Sequence, residues 1–183
     1  MPNAWNNLGL LAAREGRTAE SVPLFEKALK VSPDHFIALL NLGNAYRLLK
    51  NWEEARRTLE RALVLSPGDP EANYSLGMVF AQTDDNNRAY DYLQKALKLR
   101  PGYPEALNNL GVLYLRTRRR DEAVASFEEC MRLAPAFDQS YLNLARVYAV
   151  EGDRDKAKGV LRQLLVQHPG HPAAKQALEQ LSQ

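Results

Sequence analysis

The chain has 183 residues, of which 45% are hydrophobic, 25% charged and 8% aromatic. This balance excludes a disordered or collagen-like polymer, and a single cysteine excludes a disulfide framework or a cysteine zinc site. Lys and Arg total 24 against 22 acidic residues, a net charge of +2, and no 34-residue window departs from neutrality by more than one charge. The clustered basic face of a nucleic-acid binder is therefore missing. The basic run Arg118-Arg119-Arg120 is followed at once by Asp121-Glu122 and reads as a solvated turn. No apolar run approaches the roughly 18 residues of a membrane span. The start, Met1-Pro2-Asn3-Ala4-Trp5, lacks the charged and apolar regions of a signal peptide. These features favour a cytoplasmic chain.

In chain order, the first element is a helix opening at Pro2 and ending in the polar turn Glu15-Gly16-Arg17. A second helix follows, with Ser21, Phe25 and Ala28 at helical spacing, and Pro33 ends it. Pro23 falls inside this second helix, where it removes one backbone bond and is expected to bend it. The same pair of helices then recurs. Proline stands at 33, 67, 101, 135 and 169, and leucine at 8, 42, 76, 110 and 144, each 34 apart. After each leucine come Gly9, Gly43, Gly77, Gly111 and Ala145, and three residues on Ala12, Tyr46, Phe80, Tyr114 and Tyr148. The second helices carry Ser21, Ala55, Ala89, Ala123 and Ala157, then Phe25, Leu59, Leu93, Phe127 and Leu161. Small residues such as Gly43 and Ala55 are expected to let two backbones approach, with Tyr46 and Leu59 filling the space beside them. A fixed period of this length signals a repeat array. The units are 2–35, 36–69, 70–103, 104–137 and 138–171, and 172–183 reads as a capping helix with Ala174, Ala177, Leu178 and Leu181 turned inward.

The segment Trp5 to Gly9 and the run Asn41-Leu42-Gly43-Asn44-Ala45-Tyr46 resemble the tetratricopeptide repeat (TPR) family. The resemblance implies an all-α fold, a right-handed TPR superhelix (α-α solenoid) of five helix-turn-helix repeats. The first helix of every unit would line the concave side. Ala145 in place of Gly, Ser21 in place of Ala, and the glycine-free turn Thr83-Asp84-Asp85-Asn86-Asn87 depart from the family pattern. The first unit starts at residue 2, so the chain reads as the end of a longer array, or as one whose front, around Trp5, Leu8 and Leu11, docks on a partner or another copy.

No catalytic constellation is visible, and no cofactor or metal is implied. The histidines, His35, His168 and His171, lie at unit boundaries; the last two have no cysteine or carboxylate beside them in sequence. Cys130 takes the small-residue position of Ala62 and Ala96, so it reads as a buried filler.

The informative surface is the second stripe of the first helices. One position reads Asn7, Asn41, Ser75, Asn109 and Asn143. A carboxamide carries a donor and an acceptor, matching the N–H and C=O of a peptide unit. Helices about 10 Å apart would meet an extended strand, rising about 3.3 Å per residue, at every third residue. This pattern is similar to the asparagine ladder in the TPR arrays of O-linked N-acetylglucosamine transferases. Asn44, Tyr74 and Met78 lie on the same wall, with Arg47, Arg116 and Arg146. The lysines of the clamp that holds chaperone carboxylate tails are absent; Asn6, Leu40 and Tyr74 occupy those places. The expected function is a non-catalytic scaffold for a protein or extended peptide in the groove. The alternatives are the substrate-recruiting arm of a larger enzyme, such as a glycosyltransferase, and a scaffold that self-associates through its first repeat.

Overall fold

The computed structural model describes residues 1–182. Among them are eleven α-helices and no strand. They are α1 (Pro2–Arg14), α2 (Thr18–Val31), α3 (Phe36–Leu48), α4 (Trp52–Leu65), α5 (Pro70–Gln82), α6 (Asn86–Leu99), α7 (Pro104–Arg116), α8 (Arg120–Leu133), α9 (Asp138–Val150), α10 (Arg154–Gln167) and α11 (Pro172–Ser182). They fall into two compact units, Met1–Arg100 and Pro101–Gln183. In the first, α1 packs on α2, α3 on α4 and α5 on α6, while α2 meets α3 and α4 meets α5. In the second, the pairs are α7 with α8 and α9 with α10; α8 meets α9, and α11 lies against α10.

The helices start and stop for local reasons. Proline opens α1, α5 and α7, where a missing N–H costs nothing. Asp69, Asp85 and Asp153 cap α5, α6 and α10, each accepting a backbone N–H three residues on. His35 and His171 do the same through Nδ1, accepting from Ala38 and Ala174 at 3.2 Å. Pro23 sits at an exposed position inside α2, which continues through it to Val31.

The turn inside each hairpin has a shared cause. Gly16, Lys50, Asp84, Arg118 and Gly152 all have positive φ, between 60° and 81°. The next residue then donates its N–H to the carbonyl five residues back, as Asn51 does to Tyr46 at 2.9 Å and Arg119 to Tyr114 at 2.8 Å. This is a Schellman closure, and it requires the left-handed conformation. Three of the five positions meet that need without glycine. Lys50→Gly and Arg118→Gly are each expected to raise stability by about 0.5–1 kcal/mol, the steric relief exceeding the entropy cost of glycine. Paired urea titrations check this, and an unchanged midpoint counts against it.

The core lies where the two helices of each hairpin cross. A Cβ built at Gly43 would fall 2.6 Å from Leu59 Cγ, and at Gly111 2.6 Å from Phe127 Cε1. Gly43 thus makes room for the Leu59 side chain. At Gly77 a backbone atom comes close as well, Leu93 N at 3.2 Å. Phe25, Leu59, Leu93, Phe127 and Leu161 are all buried. Ala174 of α11 is buried too, Ala177, Leu178 and Leu181 are half-buried, and Lys175, Gln176, Glu179 and Gln180 face solvent.

Candidate binding surface of the first helices

Each unit places the amide stripe along its first helices, α1, α3 and α5 in one and α7 and α9 in the other. Within each unit the first helices touch one another, α3 meeting both α1 and α5, and α9 meeting α7. At those contacts the amides pair between neighbours. Asn41 Nδ2 donates to Asn6 Oδ1 at 2.9 Å, and Asn143 Nδ2 donates to Asn108 Oδ1 at 2.8 Å. Ser75 Oγ donates to Asn44 Oδ1 at 2.7 Å. The stripe position therefore reaches back to the preceding first helix. It finds asparagine one place earlier in that helix at Asn6 and Asn108. Where that place holds Leu40, Ser75 turns to Asn44 instead.

This pairing divides the expected contact residues. Ser75 is 1% exposed and Asn143 6%, so both are spent inside the wall and do not present themselves to a ligand. The physical reason is the buried donor: once covered by the neighbouring helix it must find an acceptor there. Asn41, Asn44, Arg47, Tyr74, Met78 and Asn109 are half-buried, and Asn7, Arg116 and Arg146 are exposed. Asn41 commits one N–H to Asn6 and keeps its carbonyl oxygen without a hydrogen bond among the described residues. Asn109 Nδ2 donates to the backbone carbonyl of Glu105 at 2.8 Å. Arg47 Nε donates to Asn44 Oδ1 at 3.4 Å, which turns the guanidinium along the stripe. Asn6 and Asn108 each stand one place before the stripe position, and their bridging role is hidden in the sequence. The signal is a spacing of 35, one more than the repeat, between paired asparagines.

Cys130, Arg119 and Arg120 are engaged in structural contacts. Cys130 is fully buried with Sγ 3.4 Å from the Pro104 carbonyl. Burial pushes its thiol pKa up, and a nearby Glu105 adds to this against a hydrogen bond to Ser140. A thiol held protonated is a poor nucleophile. Arg119 bonds Glu122 at 2.9 Å and lies over the Tyr114 ring, while Arg120 pairs with Asp121 and Glu151.

The histidine pair needs a correction. A carboxylate does stand beside it: Asp138, at the start of α9, lies 2.8 Å from His168 Nδ1 and 3.4 Å from His171 Nε2. The repeat fold brings a residue 30 positions away into the boundary loop. Among the described residues no group of three or more His, Cys, Asp or Glu is arranged to hold a metal ion. None of the helices is long and apolar enough to cross a membrane.

The tetratricopeptide repeat family matches residues 6–70, 69–136 and 118–181. None of the curated proteins matches at a significant level. Among solved structures, MamA is 27% identical over 88% of this chain and 94% of its own, with a TM-score of 0.75. TTC0263, a thermophilic TPR protein of Thermus thermophilus, covers 99% of this chain and 98% of its own at 21% identity and a TM-score of 0.79. YrrB, described as a TPR protein with an unusual peptide-binding site, covers 96% and 90% at 24% identity and a TM-score of 0.69. The matches run end to end through the same helix pairs that the 34-residue period marks, and the chain belongs to the tetratricopeptide repeat family.

Proposed function

We propose that this chain is a non-catalytic protein-binding scaffold that holds an extended peptide segment along its first helices. The observation that carries the reading is Asn41. One of its N–H groups is anchored on Asn6, so the amide plane is oriented while the carbonyl and second N–H remain to meet a peptide backbone. A side chain oriented before binding loses less entropy when the ligand arrives. In the unit Met1–Arg100, Asn7 and Asn44 extend the polar wall, Tyr74 and Met78 offer an apolar contact and Arg47 meets acidic groups; in Pro101–Gln183, Asn109 supplies the amide and Arg116 and Arg146 meet acidic groups. Ser75 and Asn143 keep the wall in register from within. YrrB, with the same fold, is described as having a peptide-binding site, which supports a peptide as the ligand class.

Peptides selected from a random library on the intact chain provide the test. For one whose footprint falls on α1, α3 and α5, Asn41→Ala is expected to weaken binding about tenfold, or about 1.4 kcal/mol. Asn109→Ala should act alike on a peptide footprinted on α7 and α9. Unchanged affinity in both variants would sink the amide-ladder reading.

A second reading rests on α1. Leu8 is 50% exposed, whereas Leu42, Leu76, Leu110 and Leu144 at the same place in later repeats are at most 5% exposed; Leu11 is 52% exposed. This apolar face suits self-association. Light scattering over a dilution series should show an oligomer that Leu8→Glu with Leu11→Glu dissolves; a monomer at every concentration removes this reading.

A further inference from the structure

Away from the amide stripe, the hairpins carry a second repeated feature. The first helices place a ring at Tyr46, Phe80, Tyr114 and Tyr148, and twelve residues later the second helices place Thr58, Tyr92, Ser126 and Val160. In the hairpin of α5 and α6, Tyr92 stacks on Phe80, with ring centroids 5.5 Å apart and planes 20° apart. In the hairpins of Tyr46 and Tyr148 the facing residue is smaller, and a cavity stands beside the ring; in the hairpin of α7 and α8, Arg119 lies over the Tyr114 ring. One, of about 330 Å³, is lined by Glu26, Leu29, Leu42, Tyr46, Arg57 and Thr58. The other, of about 370 Å³, has Glu128, Met131, Leu144, Tyr148, Gly159 and Val160 at the corresponding places, with Lys156 where the first has Glu54. Two independent parts of the chain thus build the same hollow, and a third fills it with its own tyrosine. Both volumes lie near the lower end of small-ligand sites, about 300 Å³.

The wall of the hollow is prepared. Tyr46 donates its hydroxyl to Glu26 Oε1 at 2.9 Å, and Tyr148 to Glu128 Oε1 at 3.5 Å. Burial first, and then the Glu26 bond, push the Tyr46 pKa up to about 12, so the hydroxyl keeps its proton and the ring its orientation. The charge on the rim is also specific. Glu26 is occupied by Tyr46, and Arg61 donates to the Pro33 carbonyl at 3.1 Å. Arg57 is exposed and has no hydrogen bond or salt bridge among the described residues, and Glu54 completes the rim. In the filled hairpin the places of Arg57 and Thr58 are taken by Asp91 and Tyr92. The chain's own filler is a tyrosine carried beside a carboxylate.

We propose that the Tyr46 cavity, with its counterpart at Tyr148, is a docking site for an aromatic side chain of a partner peptide, and that at Tyr46 a neighbouring carboxylate of that peptide meets Arg57. The ring stacks on Tyr46 as Tyr92 does on Phe80, over a floor of Leu29 and Leu42. Offset ring pairs at this separation are favourable beyond the apolar area that they bury. This site is separate from the amide wall, and its test does not depend on that wall.

The probe is N-acetyl-Asp-Tyr-amide, titrated to about millimolar concentration into the ¹⁵N-labelled full chain and followed by NMR. Saturable shifts are expected around Tyr46 and Thr58 and around Tyr148 and Val160. Thr58→Tyr, which copies the filled hairpin, should abolish the first set and leave the second; Val160→Tyr should do the reverse. Arg57→Ala, at an exposed position that leaves the fold alone, should weaken the first site about threefold, the worth of an exposed ion pair. It should not change the binding of N-acetyl-tyrosine-amide, which lacks the carboxylate. Absence of shifts at both cavities, shifts at Tyr46 that persist in a folded Thr58→Tyr variant, or equal effects of Arg57→Ala on the two probes would overturn the assignment.

Discussion

Phe127→Ala is expected to destabilise the chain by about 3–5 kcal/mol, a large share of the stability of an ordinary domain. Phe127 is fully buried, and its ring lies so close to Gly111 that a Cβ there would sit 2.6 Å from Cε1. Alanine therefore removes the ring from a place whose walls are two rigid helices, α7 and α8, that cannot close over the void. Phe127→Leu should cost far less, because Leu59, Leu93 and Leu161 fill the same place in other hairpins. Gly111→Ala alone should cost about 1–3 kcal/mol by overpacking. Combined with Phe127→Leu it should recover most of that loss, since the pair then copies Ala145 opposite Leu161. Urea unfolding of the four variants decides the matter. A double variant no better than the sum of its parts would mean that Gly111 answers to backbone geometry and not to the ring.

Asn108→Leu is expected to cost about 1–3 kcal/mol, because it leaves the Asn143 amide, 6% exposed, with a buried donor and no acceptor across the helix pair. Asn108→Leu with Asn143→Leu removes both partners and should return close to the starting stability. The expected sign of the coupling is thus fixed by the hydrogen bond, and a double-mutant cycle measures it. If the two losses simply add, the Asn108–Asn143 bond does not hold α9 to α7.

Much of this architecture is legible in the chain before any coordinates. The period of 34, the prolines that end each pair and the recurring small residues define where helices begin, stop and cross. These depend on local backbone rules and on bulk, which residue type alone conveys. The partner at each crossing is less legible. Gly43 and Ala55 mark where two backbones can approach, but the atoms nearest Gly43 belong to the Leu59 side chain, because a side chain projects over the turn N-terminal to its own Cα. In sequence the left-handed turns read only as polar loops. Lys50, Asp84 and Arg118 hide the requirement that Gly16 and Gly152 advertise.

The candidate site is legible in composition and less so in direction. A column of amides is visible, but not which of its members face solvent. That depends on the residue one place earlier in the preceding repeat, Asn6, Leu40 or Asn108, and hence on contacts one helix away. The Asp138 carboxylate between His168 and His171 escapes a linear reading for the same reason: the residues are neighbours only after a full hairpin has folded back.

The amide bridges also bear on how the chain comes to be folded. The pairs Asn6–Asn41 and Asn108–Asn143 span 35 residues, and within each unit the hairpins otherwise meet only their immediate neighbours. Assembly then never has to wait for a distant segment, and loop closure stays short at every step. During synthesis, a hairpin within each unit can dock on its predecessor as soon as it leaves the ribosome, while the next is still being made. Within each unit the order of translation is then also the order in which the row of first helices is built, one rung at a time.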